Sequence, residues 1–244
     1  MITALGLSAL LTIVALGDSI TAAPRPASPG AAAATARGAR ARKKAAAKRK
    51  QIPPGRPYPA YVELVGRALG TGEKTVNAGV GGDTSTKMLA RFDKDVAAHG
   101  PRIVLIMAGM NDAAYVDPGP AARTEPRIPL TEFTSNLKAL VERVRQAGGQ
   151  AILLTSSPMT RAYIYQTMPF YQENDMNDGL TPYVDATRRV AREAKACLAD
   201  VFGEWTPLRE HRAWIPDGIH PNAEGHRRIA AKVMEACSTV LRGQ

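Results

Sequence analysis

An apolar run, Ile13-Val14-Ala15-Leu16, leads into Gly17-Asp18-Ser19, and about two hundred residues later the chain reads Asp217-Gly218-Ile219-His220. A serine hydroxyl at the carboxyl end of a buried strand, with an aspartate and a histidine able to fold back to it, points to nucleophilic attack on an acyl carbon. The hydroxyl is a weak nucleophile until a neighbouring base takes its proton. An imidazole, which titrates near neutral pH, suits that task, and a carboxylate beside it fixes the tautomer and steadies the imidazolium that forms. Each residue also has a plainer reading: Ser19 as a helix cap, His220 as a structural loop histidine. The other histidines, His99, His211 and His226, have no matched aspartate. Asp217, His220, Glu224 and His226 do not read as a metal site, because histidines six positions apart do not share a helical face.

These groups need a scaffold that brings distant strand ends together. Five apolar, β-branched runs recur: Leu11–Leu16, Thr75–Ala78, Ile103–Ala108, Ala151–Thr155 and Leu198–Phe202. Helical patterns fall at Tyr61–Leu69, Thr131–Ala147, Tyr183–Ala196 and Ala223–Leu241; Phe133, Leu137, Leu140, Val141 and Val144 recur at helical spacing. Strands alternating with helices predict an α/β fold, a parallel sheet between two helical layers. Ligands of such sheets bind at the carboxyl ends of the strands. Ser19 falls at one such end and Asn111 just beyond another.

Four blocks then line up: Gly17-Asp18-Ser19; Asn77-Ala78-Gly79-Val80-Gly81-Gly82-Asp83; Gly109-Met110-Asn111-Asp112; and Asp217-Gly218-Ile219-His220-Pro221-Asn222. In this the sequence resembles the SGNH (GDSL-type) hydrolases, a family named for invariant Ser, Gly, Asn and His in four such blocks. The resemblance implies a three-layer α/β/α sandwich around a five-stranded parallel sheet, in the flavodoxin-like manner. It implies Ser19 as nucleophile, His220 as base, Asp217 as its orienting carboxylate, and no cofactor or metal. It assigns the oxyanion site to the backbone N–H groups of Ser19 and Gly82 and the side-chain amide of Asn111. Such donors are worth roughly 3–4 kcal/mol each. Gly79 and Gly81 remain alternatives for the glycine donor, and Asp18, Asp83 and Asp112 are expected to stabilise turns or cap helices. A phosphate-binding reading of the Gly17–Thr21 loop leaves Asn111, Asp217 and His220 unexplained.

The chain of 244 residues has the composition of one ordinary globular domain, yet carries a net charge of +10. The excess belongs to one segment. Between Thr21 and Pro57 stand Arg25, Arg37, Arg40, Arg42, Lys43, Lys44, Lys48, Arg49, Lys50 and Arg56, with no acidic residue; without them, basic and acidic residues are equal at 22 each. This Ala22–Pro57 stretch, rich in Ala and Pro and poor in large apolar residues, reads as a low-complexity insertion with at most a nascent helix over Ala39–Lys50. Residues 37–50 suit weak contact with a polyanion or an anionic surface. They lack the interleaved aromatics and the reading module of a specific nucleic-acid binder. Cys197 and Cys237 have no metal-type spacing and are expected as buried thiols rather than a bridge. Met1–Leu16 has neither a basic n-region nor an A-x-A site and is too short to span a bilayer and still supply the first strand. That leaves the compartment open.

The long connection Ser157–Leu180 carries Tyr163, Tyr165, Phe170 and Tyr171. These rings could stack on a sugar, line an acyl pocket or form the core of their own loop. In block wording, notably Asn77-Ala78-Gly79 and the approach from Trp214 to His220, the chain is similar to family members acting on acetylated carbohydrates and short-chain esters. The expected activity is therefore hydrolysis of a short-acyl, carbohydrate-type ester. A lysophospholipase or thioesterase with a longer acyl pocket is the alternative, and a polyanion-binding protein a more distant one.

Overall fold

Five strands, β1 (Ile13–Gly17), β2 (Thr75–Gly79), β3 (Ile103–Met107), β4 (Gln150–Leu154) and β5 (Cys197–Ala199), form one parallel sheet in the order β2-β1-β3-β4-β5. The computed structural model describes residues 11–23, 58–71, 74–117 and 121–243. Every residue of β1 and β3 is buried, so these strands read as unbroken apolar runs rather than alternating ones; both of their faces are covered. Helices α1 (Tyr61–Ala68) and α4 (Ala223–Ala236) pack on each other, α1 against β1 and β2 and α4 against β5. Helices α2 (Leu130–Gln146) and α3 (Thr181–Glu193) pack together over β4, α3 also reaching β5. The stripe buried by α2 is Phe133, Leu137, Leu140, Val141 and Val144, the set that the spacing predicts.

Three expectations are corrected. The fifth strand ends at Ala199 rather than Phe202, because the Asp200 carboxylate accepts the Gly203 N–H at 3.0 Å and starts a short helix, Val201–Trp205. The last helix does not run unbroken to Leu241. It stops at Cys237, whose backbone is non-helical (φ −116°, ψ 24°), and a separate turn of helix follows at Ser238–Leu241. The cysteines are not thiols: Cys197 opens β5, Cys237 caps α4, and they form a disulfide with their Cα atoms 5.8 Å apart. Their separation of 40 residues carries no pairing signal; the packing of α4 across β5 brings them together.

The basic stretch lies outside the described residues apart from Ala22 and Ala23, as does Met1–Leu10. Among the described residues no helix is long and apolar enough to cross a membrane.

Sheet order sets the place of the site. The chain leaves β1 towards β2 on one side and returns to β3 on the other, so the connections diverge at the carboxyl ends of β1 and β3, where a crevice opens. The three strands end level, Gly17 pairing with Gly79 and with Met107. The loops bearing Ser19, Gly82 and Asn111 thus start from one height.

Candidate active site

Ser19 opens a four-residue helix, Ser19–Ala22, directly after β1. The preceding residue, Asp18, is its cap: Oδ1 accepts the Ile20 N–H at 2.9 Å. Ser19 itself is partly exposed while Asp18 is buried, so the turn presents the hydroxyl and hides the carboxylate. His220 Nε2 lies 2.9 Å from Ser19 Oγ, and His220 Nδ1 lies 2.7 Å from Asp217 Oδ2. With the proton on Nδ1, the imidazole donates to Asp217 and offers the Nε2 lone pair to the Ser19 hydroxyl. The other Asp217 oxygen accepts the N–H groups of Ile219 (3.1 Å) and His220 (2.8 Å). Partial burial pushes the Asp217 carboxyl up. The His220 ring bond, the His220 charge and those two N–H donors outweigh it and hold the group below the usual carboxylate range.

The turn bearing Asp217 and His220 rests on the aromatic loop. Gly218 has φ +92°, and a Cβ there would stand 2.1 Å from the Tyr163 backbone nitrogen; the Gly218 carbonyl accepts the Thr160 N–H at 2.9 Å. Tyr163 and Tyr171 are buried and meet edge to face, with centroids 5.6 Å apart, while Phe170 stacks on Tyr115 at 3.5 Å. Tyr163 and Tyr171 therefore belong to the loop's own core, Tyr165 and Phe170 are half-buried beside them, and Tyr163 backs the His220 turn.

Asn111, after β3, lies beside the nucleophile turn, its Nδ2 donating to Asp18 Oδ2 at 3.2 Å. Gly82 sits at the end of the block after β2 with φ +83°, and a Cβ there would meet nothing within 4 Å. The backbone angle, not lack of space, calls for glycine there. Among the described residues the N–H groups of Ser19 and Gly82 donate to no protein acceptor. The Gly79 N–H is taken by Asn77 Oδ1 at 3.0 Å, which removes it as a donor.

The recurrent aspartates differ in use. Burial pushes Asp18 up to about 6, against the opposing effects of the Ile20 N–H, the His220 charge and the Asn111 amide. Asp83 forms an ion pair with Arg91 at 2.6 Å. Asp112 is buried and accepts both the Ser85 N–H (2.8 Å) and the Ser85 hydroxyl (2.6 Å), tying the loop after β3 to the helix Ser85–Ala90. His226 is buried too, its Nδ1 accepting the Tyr61 N–H at 3.2 Å.

Two arginines at the site have no signature in the sequence. Arg91 Nη2 donates to the Gly17 carbonyl at 3.1 Å while its Nε holds Asp83, so it locks the Gly82 loop to the end of β1. Arg127 Nη1 donates to Asn111 Oδ1 at 3.2 Å. Only the folded connection between β3 and α2 places it there. The chain also leaves the described residues at Ala23, four positions after Ser19, and returns at Tyr58, whose hydroxyl donates to the Pro221 carbonyl at 3.2 Å, next to His220.

The chain as a whole is similar to known proteins. The GDSL-like Lipase/Acylhydrolase family matches residues 15–228. An acetylxylan esterase from Geobacillus stearothermophilus is 29% identical over 185 residues, covering 72% of this chain and 78% of the relative. Among solved structures, LAE5, an alpha/beta hydrolase enzyme from the metagenome of Lake Arreo, Spain, is 26% identical with a TM-score of 0.66, over 95% of this chain and 97% of that one. The lipase/acylhydrolase from Enterococcus faecalis shares the fold at 20% identity, with a TM-score of 0.65 over 96% and 97% of the two chains.

Proposed function

This chain belongs to the GDSL-like lipase/acylhydrolase family and is a carboxylic ester hydrolase; from that premise we propose that it removes short acyl groups, acetyl above all, from carbohydrate-type esters through Ser19, His220 and Asp217. The observation that carries the reading is the unbroken relay Ser19 Oγ–His220 Nε2–His220 Nδ1–Asp217 Oδ2, at 2.9 and 2.7 Å. The likeness to an acetylxylan esterase supports the acyl group and the carbohydrate class.

In this mechanism Ser19 Oγ attacks the ester carbon as its proton passes to His220 Nε2, and the carbonyl oxygen becomes an oxyanion. The Ser19 N–H, the Gly82 N–H and Asn111 Nδ2 receive that charge. Collapse breaks the bond to the alcohol oxygen, which takes the proton from His220, and the acyl group stays on Ser19. Water, deprotonated by the same nitrogen, then attacks the acyl-enzyme and releases the carboxylic acid. Asp217 remains ionised throughout and orients the ring. The chemistry is completed by protein groups and water.

The test is a series of p-nitrophenyl esters from acetate to long chains, followed by acetylated xylo-oligosaccharides, with Ser19→Ala and His220→Ala as controls. The reading expects acetate and the acetylated sugars to be preferred and both variants to lose nearly all turnover. Activity that survives Ser19→Ala refutes the mechanism. A preference for long chains replaces the carbohydrate reading with a lipid one.

A further inference from the structure

Asn111 has a task that its position alone does not guarantee. The two ends of a side-chain amide are nearly alike in size and opposite in hydrogen-bonding sense. Turned one way, Asn111 offers N–H to an oxyanion; turned the other way, it offers a carbonyl oxygen and repels the developing charge. Rotation by a half turn about the last side-chain bond separates a useful donor from a harmful acceptor, and that torsion is soft.

The structure flanks the amide with unlike charges. On the oxygen side, Arg127 Nη1 donates to Oδ1 at 3.2 Å. On the nitrogen side, Asp18 Oδ2 accepts from Nδ2 at 3.2 Å. A flipped amide would set its oxygen against the carboxylate and its N–H groups against the guanidinium, so both contacts turn repulsive together. Arg127 is itself anchored: Nε donates to the Val116 carbonyl at 2.6 Å, its backbone N–H donates to Ala114 O at 3.1 Å, and the Ile128 N–H donates to Asp112 O at 3.1 Å. The segment 127–128 is thereby fastened along 112–116, the residues directly after Asn111. The guanidinium is given to a carbonyl and an amide oxygen and, among the described residues, forms no ion pair, an unusual use for a half-buried arginine unless the amide orientation matters.

We propose that Arg127 is a positioning residue for ester hydrolysis, which holds the Asn111 amide with its N–H groups turned to the acyl oxygen. The proposal rests on the role given to Asn111 above. One Nδ2 hydrogen is engaged by Asp18, and the second is left for the oxyanion. Arg127 touches neither substrate nor nucleophile in this scheme; it acts through Asn111 alone.

A double-mutant cycle on p-nitrophenyl acetate tests it, with Arg127→Met, Arg127→Lys, Asn111→Ala, Asn111→Ala/Arg127→Met and Asn111→Ala/Arg127→Lys, and with thermal unfolding to establish that each variant folds. Arg127→Met should lower kcat roughly tenfold, the scale of one charge-assisted hydrogen bond, with KM within twofold. Arg127→Lys, which keeps the charge, should recover at least part of that loss. In the Asn111→Ala background, Arg127→Met should change kcat by less than twofold. A full kcat in Arg127→Met, or the same tenfold loss with Asn111 already removed, overturns the proposal. If Arg127→Met does not fold, the smaller loss in Arg127→Lys, and its disappearance in the Asn111→Ala background, decides in the same way. Survival of activity in Ser19→Ala would sink the hydrolytic mechanism as a whole. An inactive Ser19→Ala with an additive cycle would sink only the role of Arg127.

Discussion

Asp18 is 1% exposed, and burial raises its pKa from 3.8 to about 6. The sign of the linked stability follows from which state holds the proton more tightly. The folded protein does, so the contribution of Asp18 to stability is fully present below the ordinary value, near pH 4. It is lost as pH rises through about 6, where the folded state must carry a buried charge. A tenfold difference in proton affinity is about 1.4 kcal/mol, so the gap between 3.8 and about 6 amounts to ~3 kcal/mol. The charges of His220 and Asp112 act on the same carboxyl in opposite senses and are counted in that value. Asp18→Asn keeps an oxygen to cap Ile20 and removes the titration. Urea unfolding of both proteins at constant ionic strength, from pH 4 to pH 7, should show the stability of the native protein relative to Asp18→Asn falling by ~2 kcal/mol, the part of that total left above pH 4, most of it below pH 6. Any constant cost or gain of the substitution shifts the whole curve and leaves its slope untouched. A difference that stays flat within about 1 kcal/mol across this range would refute the claim that the buried carboxyl carries the shift.

Further outcomes follow from the same geometry. Asp217→Asn should lower kcat roughly 10³–10⁴-fold, because an amide no longer fixes the tautomer of His220; the Asp217 side chain is 55% exposed, so the melting temperature should barely move. Gly218→Ala puts a Cβ 2.1 Å from the Tyr163 nitrogen in a left-handed backbone. It should cost at least about 2 kcal/mol in chemical denaturation and should slow turnover along with it. Replacing Cys197 and Cys237 by serine removes a cross-link over 40 residues and should cost ~4 kcal/mol by the chain-entropy relation. Esterase activity at 25 °C should persist, because neither cysteine adjoins the site.

The sheet and its helices were legible because burial on both faces writes long apolar runs and the helices bury regular stripes, as α2 does with Phe133 through Val144. Element ends were less so: Asp200 cuts β5 short with a side-chain cap that a run of apolar letters hides. The residues that meet at the site, Ser19, Asn111, Asp217 and His220, stand beside Gly or Asp at strand ends and turns, where residue type is constrained and pattern shows. Arg91 and Arg127 were not legible. They lie in ordinary polar stretches, and their value comes from carbonyl and amide oxygens supplied by residues 74 and 16 positions away. In the sequence the aromatic loop stays open between sugar contact, an acyl pocket and self-packing. Only the edge-to-face meeting of Tyr163 and Tyr171 and the seat that Tyr163 makes for Gly218 decide its structural part.

The contact between Ser19 and His220 spans 201 positions, and the strands that level the site, β1, β2 and β3, must pair in one register. A slip of one residue would shift a loop by about 3.3 Å and turn its side chains to the wrong face. Contacts of such sequence separation form late, after closure of the long chain segments between them. During refolding, hydrolysis should therefore return only with the last structural signal, after helical circular dichroism and tryptophan fluorescence. The enzyme carries in its own activity a gauge of whether the two ends of the chain have met.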